Sequence, residues 1–117
     1  MTLKLGDTFH GGAYAGVTTA LDGRTYAVVR LPGLAENVTW EAAKRWVEEQ
    51  GGKLPSLRES RLTKSTTWTE DVDQYGAAGI YDAERGNQYF VSKDHELQAI
   101  AVRLVPVAVT FGDMECS

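Results

Sequence analysis

The chain lacks several features that would assign it to a class of protein. It has a single cysteine, Cys116, which allows no internal disulfide and is expected to be an exposed tail thiol. No apolar stretch approaches the ~20 residues of a membrane-spanning helix, and the first residues lack a signal-peptide core. Lysine and arginine form no run, and the net charge is -4, which argues against a nucleic-acid partner. The sequence therefore predicts a cytoplasmic protein that does not enter a membrane.

Motifs for catalysis, metals and cofactors are also missing. His10 and His95 are far apart, and neither belongs to a metal-ligand spacing such as His-x-x-x-His. The acidic residues form two clusters, at Glu70, Asp71 and Asp73 and at Asp82 and Glu84. Paired carboxylates could bind calcium or act as acid and base in a hydrolase, but neither cluster has the order of an EF-hand loop. We expect solvated loops there, no enzyme activity, no metal and no cofactor.

The composition fits one folded domain over residues 1–117. Apolar residues make up 43% of the chain, which is enough for one core, and charged residues make up 24%. The strongest local signal is a helix over 39–50, with Thr39 as its N-cap and Gly51-Gly52 at its end. Its predicted buried face consists of Trp40, Ala43, Trp46, Val47 and Gln50. A capping box at 56–59 predicts a second helix over 56–63.

Strand patterns occur on both sides of the two helices. We predict strands at 11–21, 24–31, 66–69, 77–81, 88–92 and 100–105, with turns at Asp22-Gly23 and at 82–87. Residues 107–117 form a tail that either adds an edge strand through 107–111 or frays. This order predicts an α+β domain with two helices on one face of an antiparallel sheet built from both chain ends. Strand 100–105 is expected at its centre, and the predicted core contains Trp40, Trp46, Val47, Leu54, Trp68, Val102 and Leu104.

A protein-contact surface is predicted on the late loops and strands. Tyr75, Tyr81, Arg85 and Tyr89 are its candidate residues, because tyrosine and arginine often carry binding energy. Arg85 is expected at an exposed hairpin tip. Strand alternation places Tyr89 and Phe90 on opposite faces, so we expect them to be unequally buried.

Several short motifs follow one another in a familiar order. They are Gly6-Asp7-Thr8-Phe9 with Gly11-Gly12, Leu31-Pro32-Gly33 before Thr39-Trp40, Gly51-Gly52-Lys53-Leu54-Pro55-Ser56 with Glu59, Trp68-Thr69, and Lys93-Asp94-His95-Glu96 before Ala101-Val102-Arg103. Together they resemble the Lcl C-terminal-domain family, a C-type-lectin-like group found in bacterial surface proteins and in small proteins of tailed phages and prophages. The paired cysteines and the Glu-Pro-Asn or Trp-Asn-Asp signatures of calcium-dependent lectins are absent, so the resemblance does not imply calcium-dependent sugar binding.

The resemblance implies a C-type-lectin-like fold and a non-enzymatic, phage- or prophage-encoded module that binds a protein. The partner would be a host defence component, which would make the protein an inhibitor in the host cytoplasm, or another copy of itself. The alternative is a virion or adhesion component that serves assembly or receptor attachment. The sequence is compatible with both functions, the protein-binding module and the virion or adhesion component.

Overall fold

The computed structural model describes residues 4–19 and 22–107 and shows an α+β protein with two helices and antiparallel sheets. The elements are β1 Thr8–Phe9, β2 Gly12–Thr19, β3 Thr25–Arg30, β4 Ala35–Val38, α1 Trp40–Glu49, α2 Leu57–Thr63, β5 Thr67–Val72, β6 Ala78–Asp82, β7 Asn87–Val91, β8 Leu97–Ala99 and β9 Val102–Pro106. Of the predicted tail, only Val107 is described, and the rest lies outside the described residues. Neither of the two described helices is long and apolar enough to cross a membrane.

Both predicted helices are confirmed, because their local capping signals operate as expected. The Thr39 hydroxyl oxygen accepts a 3.3 Å hydrogen bond from the backbone N–H of Ala42 and so caps α1. Gly51 follows the helix with a φ of 80°, in the left-handed region that favours glycine. Gln50, which we expected on the buried face, is the exposed C-cap instead.

The capping box of α2 is complete. The Ser56 hydroxyl accepts from the Glu59 N–H at 3.2 Å, and the Glu59 carboxylate accepts from the Ser56 N–H at 3.1 Å. The same carboxylate oxygen lies 2.7 Å from the ammonium of Lys53, which also contacts Glu70 at 2.9 Å. These hydrogen bonds and ion pairs therefore connect the first turn of α2 to Lys53 in the preceding segment and, through Lys53, to β5.

The largest sheet joins the two ends of the described chain. Its strand order is β1-β2-β3-β9, with all neighbours antiparallel. Buried residues Ala27, Val28 and Val29 fill the middle of β3, which lies between β2 and β9. The expected hairpin between the first two long strands is confirmed. A register shift between Tyr14 and Gly16 in β2 is an irregularity that the sequence did not indicate.

The predicted central strand at 100–105 is wrong in two respects. Ile100 and Ala101 belong to no strand and form a break between β8 and β9, and β9 lies at the end of the four-stranded sheet, not at its centre. At the break, the Ile100 N–H donates to the Thr67 hydroxyl and the Ala101 carbonyl accepts from the Leu31 N–H, both at 2.9 Å. The change of partners interrupts the strand, although Ile100 and Ala101 are fully buried. On its outer side β9 is covered at Val102, which exchanges two hydrogen bonds with Lys53.

The sequence predicted both helices on one face of one sheet, and this prediction is wrong. Helix α1 contacts β4 and β8, whereas α2 contacts β2 and β3 of the large sheet and β5 and β6 of a third, three-stranded sheet. The expected burial of Trp40, Val47, Leu54, Trp68 and Val102 is confirmed. Two other predicted core residues, Trp46 and Leu104, are only partly buried and pack against the edge of the core.

Candidate protein-contact surface

Exposed apolar side chains concentrate on the three-stranded sheet β5-β6-β7. Four of the seven large apolar residues that are exposed in the described part of the chain belong to this sheet or its first loop: Val72, Tyr75, Tyr89 and Phe90. With Arg85 we call these residues the hairpin surface. Large exposed apolar side chains grouped on one element indicate a site of interaction more strongly than the same residues scattered singly.

Tyr75 projects from a loop that is held by one aspartate. The Asp73 carboxylate accepts from the N–H groups of Tyr75 and Ala77, both at 2.9 Å, and the Asp73 N–H donates to the Ala77 carbonyl. Gly76 adopts a φ of 84° and allows the chain to turn. The side chain of Tyr75 is left 85% exposed. A fixed backbone beneath a free aromatic ring reduces the conformational entropy that binding would cost.

The predicted hairpin between β6 and β7 is confirmed, and its tip is exposed. The Asp82 carboxylate accepts from the N–H groups of Glu84 and Arg85 at 3.0 and 3.3 Å, and the Asp82 carbonyl accepts from Gly86 at 2.7 Å. Residues 84–87 are all exposed, as the sequence indicated. Asp82, the first residue of the turn, thus fixes the turn through these hydrogen bonds.

Arg85 is brought back from the tip towards β7. The Tyr89 phenol and then the Asp82 carboxylate raise the pKa of the Arg85 guanidinium above its ordinary value. The nearest guanidinium nitrogen lies 3.9 Å from the Asp82 carboxylate, and the arginine side chain is 73% exposed. The group therefore stays cationic and open to a partner.

Tyr81 does not belong to this surface, which corrects the prediction from sequence. It is only 6% exposed. It lies on β6, the central strand, opposite Thr67 on one neighbour and Gln88 on the other. Side chains of both neighbouring strands lie beside Tyr81 and α2 contacts β6, whereas Tyr89 on the edge strand has a neighbour on one side only.

Tyr89 and Phe90 are exposed to similar extents, 38% and 44%, so the expected inequality is wrong. They lie on opposite faces of β7 because neighbouring residues of a strand alternate. β7 pairs only with β6 in the described part of the chain, so no strand shields either face on its outer side. Phe90 in addition lies opposite Gly79, which has no side chain to cover it.

The structure brings only two of the four predicted contact residues close together, and it adds Val72 and Phe90 to the exposed surface. Arg85 and Tyr89 are in contact, whereas Tyr75 lies in the loop at the opposite end of β6. Val72 and Phe90 were missed by sequence reasoning, which assigned apolar strand residues to the core. The sequence of β7 contains no charged residue and so gave no indication of an edge strand, because edge strands usually carry charges.

Apart from the hairpin surface, a concave region with a volume of about 270 Å³ surrounds Trp40. Its lining residues are Trp40, Lys44, Val47, Glu48, Gly52, Lys53, Leu54 and Glu70. The ammonium groups of Lys44 and Lys93 lie 4.6 and 4.3 Å from the centre of the Trp40 ring, which they stabilise as cation–π contacts. Because Lys53 is already paired with two carboxylates and Lys44 lies over the Trp40 ring, these two cations have partners within the protein, which suits a structural role.

The acidic clusters also have structural partners. Asp71 accepts from the Gln88 amide at 2.9 Å, Glu70 pairs with Lys53, and the other two aspartates cap the turns described above. Within residues 4–19 and 22–107, no three His, Cys, Asp or Glu side chains converge as a metal site requires.

The two histidines lie outside any recognisable catalytic arrangement of the described residues. The His95 ring nitrogen Nδ1 is 3.1 Å from the carbonyl of Ser92, and the exposed His10 packs its ring edge-on against Phe9. Neither histidine has a nucleophile among these contacts.

Comparison with known proteins adds no relative: no protein-family model matches the sequence, and no curated protein does.

Proposed function

We propose that the chain is a non-enzymatic protein-binding module, and that the hairpin surface is its contact site. The observation that carries this proposal is the grouping of Tyr75, Tyr89 and Phe90, three exposed aromatic residues, with the exposed cation Arg85 on one small sheet. Aromatic and arginine side chains supply most of the binding energy at protein interfaces. The backbone under two of them is fixed by the aspartates of the adjoining turns.

The origin and the fold family form the finer part of this proposal. The resemblance described above supports a C-type-lectin-like fold and a phage or prophage source, and an α+β architecture with antiparallel sheets is compatible with it. If the chain is phage-encoded, a host defence protein is the partner class to test first, and the protein would act as its inhibitor in the host cytoplasm.

Affinity capture from host lysate tests the proposal when matched variants are used. Arg85→Glu reverses the charge at the exposed tip and is expected to reduce capture of the specific partner, while the free energy of unfolding stays within about 0.5 kcal/mol. Arg45→Glu, at an exposed position of α1, is the control and should capture the partner like the unchanged chain. If both variants retain the partner equally well, the hairpin is not the interface, and the N-terminal strands around Tyr14 and Tyr26 become the next candidates.

The alternative reading, a virion component, makes a different prediction. Mass spectrometry of purified virions would then detect the chain in stoichiometric amounts. An inhibitor acting in the host cell would be absent from virions and present in the infected lysate.

A further inference from the structure

Among the residues that the structure describes, strand β7 is an open edge without the usual protection. Sheet edges in monomeric proteins carry charged residues, prolines or bulges that prevent another strand from pairing. Among the described strands of five or more residues that end a sheet, β5 carries Glu70 and Asp71 and β9 carries Arg103 and Pro106. β7 has the sequence NQYFV, with no charge and no proline, and its register with β6 has no bulge.

Exposed aromatic residues lie on both faces of this edge. Tyr89 and Phe90 point to opposite sides of the sheet and are 38% and 44% exposed. A partner docked on one face could cover only one of them. A strand added beside β7 would place its own alternating side chains next to both.

We infer that the partner binds by adding an extended segment to β7 as a fourth, edge strand of the sheet β5-β6-β7. This inference rests on the proposed function and specifies its mode of binding. Every second residue of β7 directs its N–H and C=O away from β6, and these groups would bond to the added backbone. Side chains beside Tyr89 and Phe90 would then determine which sequences bind.

The charges near the strand favour a different protein over a second copy of this chain. The two-fold register that pairs all five residues of β7 with themselves would set Arg85 opposite Lys93 and Glu84 opposite Asp94. These residues lie in the turns just beyond the ends of β7, and like charges brought close together there repel each other. The edge is therefore poorly suited to self-association.

The same charges define what the partner segment should contain. Arg85 lies in the turn before β7, and Lys93 lies over the Trp40 ring beyond the other end of the strand. Neither cation has a carboxylate closer than 3.9 Å among the described residues. The occupant is thus an extended segment with an uncharged, alternately apolar centre of about five residues and carboxylates at its ends.

Selection of linear seven-residue peptides against the full chain provides the probe. Selected peptides are expected to carry acidic residues at their ends. Tyr89→Lys and Phe90→Lys should each weaken binding of a selected peptide by about tenfold or more, because lysine protects either face of an edge. Leu34→Lys is the matched control, since Leu34 is 42% exposed but lies in the loop before β4, and it should leave the affinity unchanged.

Backbone methylation of the peptide distinguishes strand addition from docking on a face. N-methyl groups on one set of alternate peptide residues should abolish binding, while the same groups on the other set should be tolerated. Circular dichroism checks that the variants fold. If a lysine variant does not fold, Tyr89→Thr and Phe90→Thr replace the pair, because threonine keeps the strand preference and removes the ring.

Each outcome separates the mode of binding from the function. If only one of the two β7 variants weakens binding, or if both methylation patterns are tolerated, strand addition is wrong and a face-docked protein contact stands. The same holds if no selected peptide contacts β7 while Arg85→Glu still abolishes capture of the protein partner. Failure of both experiments rejects both proposals. A dimer in sedimentation velocity that Tyr89→Lys dissociates would assign the edge to a second copy and overturn the proposed occupant.

Discussion

The indole N–H of Trp40 donates a 2.9 Å hydrogen bond to the carbonyl oxygen of Thr69, which attaches the first turn of α1 to β5. The neighbouring Trp68 donates its own indole N–H to the carbonyl of Val38, also at 2.9 Å. Two buried tryptophans therefore connect the same pair of segments in opposite directions. Each satisfies a backbone carbonyl that water cannot reach easily, so the pair contributes hydrogen bonding as well as apolar burial.

Replacing Trp40 with phenylalanine should lower the free energy of unfolding by about 1–3 kcal/mol, because the Thr69 carbonyl loses its donor in a buried position. Urea denaturation measures the change. Trp46→Phe is the control, since Trp46 is only partly buried and donates no side-chain hydrogen bond among the described residues. Equal losses from the two substitutions would show that the Trp40 hydrogen bond contributes little.

The ion pairs of Lys53 should differ in strength according to burial. Glu59→Ala removes a carboxylate with 7% side-chain exposure that also completes the α2 capping box, so a loss of about 2 kcal/mol is expected. Glu70→Ala removes a carboxylate that is 48% exposed, and its cost should stay below about 1 kcal/mol. Thermal and urea unfolding of the two variants would contradict this ranking if Glu70→Ala proved the more damaging.

Truncation of Tyr81 should lower stability strongly and truncation of Tyr75 should not, although the sequence predicted both residues on the contact surface. Tyr81→Ala creates a cavity beneath a central strand and should cost about 3–5 kcal/mol. Tyr75→Ala removes an 85% exposed ring and should change stability by no more than about 0.5 kcal/mol. Denaturant midpoints of both variants provide the measurement, and a stable Tyr81→Ala protein would contradict the placement of that side chain.

Calcium and chelators should have no effect on stability. The carboxylates of both acidic clusters that the structure describes are occupied by backbone N–H groups, the Gln88 amide or Lys53, apart from the exposed Glu84. Scanning calorimetry with EDTA and then with excess calcium should give the same melting temperature. An increase of several degrees on addition of calcium would instead support a lectin-like metal site.

The candidate site could be located from sequence in part. Arg85 was correctly placed at an exposed tip, because Gly86 and the polar residues around it define a turn within a few positions. Tyr81 and Tyr89 have the same residue type in adjacent strands, and nothing local separates them. One is buried and the other exposed because β6 is central and β7 is an edge.

Local sequence signals were sufficient to predict the α+β class, both helices and the two hairpins, since helix caps and turns depend on residues three or four positions apart. Long-range contacts explain why β9 begins only at Val102, because Thr67 and Leu31 bind the backbone of Ile100 and Ala101 from distant parts of the chain. Long-range pairing within the described part of the chain also leaves Tyr89 and Phe90 exposed on opposite faces of β7. Burial of a strand residue depends on the strands and helices beside it, and those neighbours are set by long-range pairing that a local pattern does not contain.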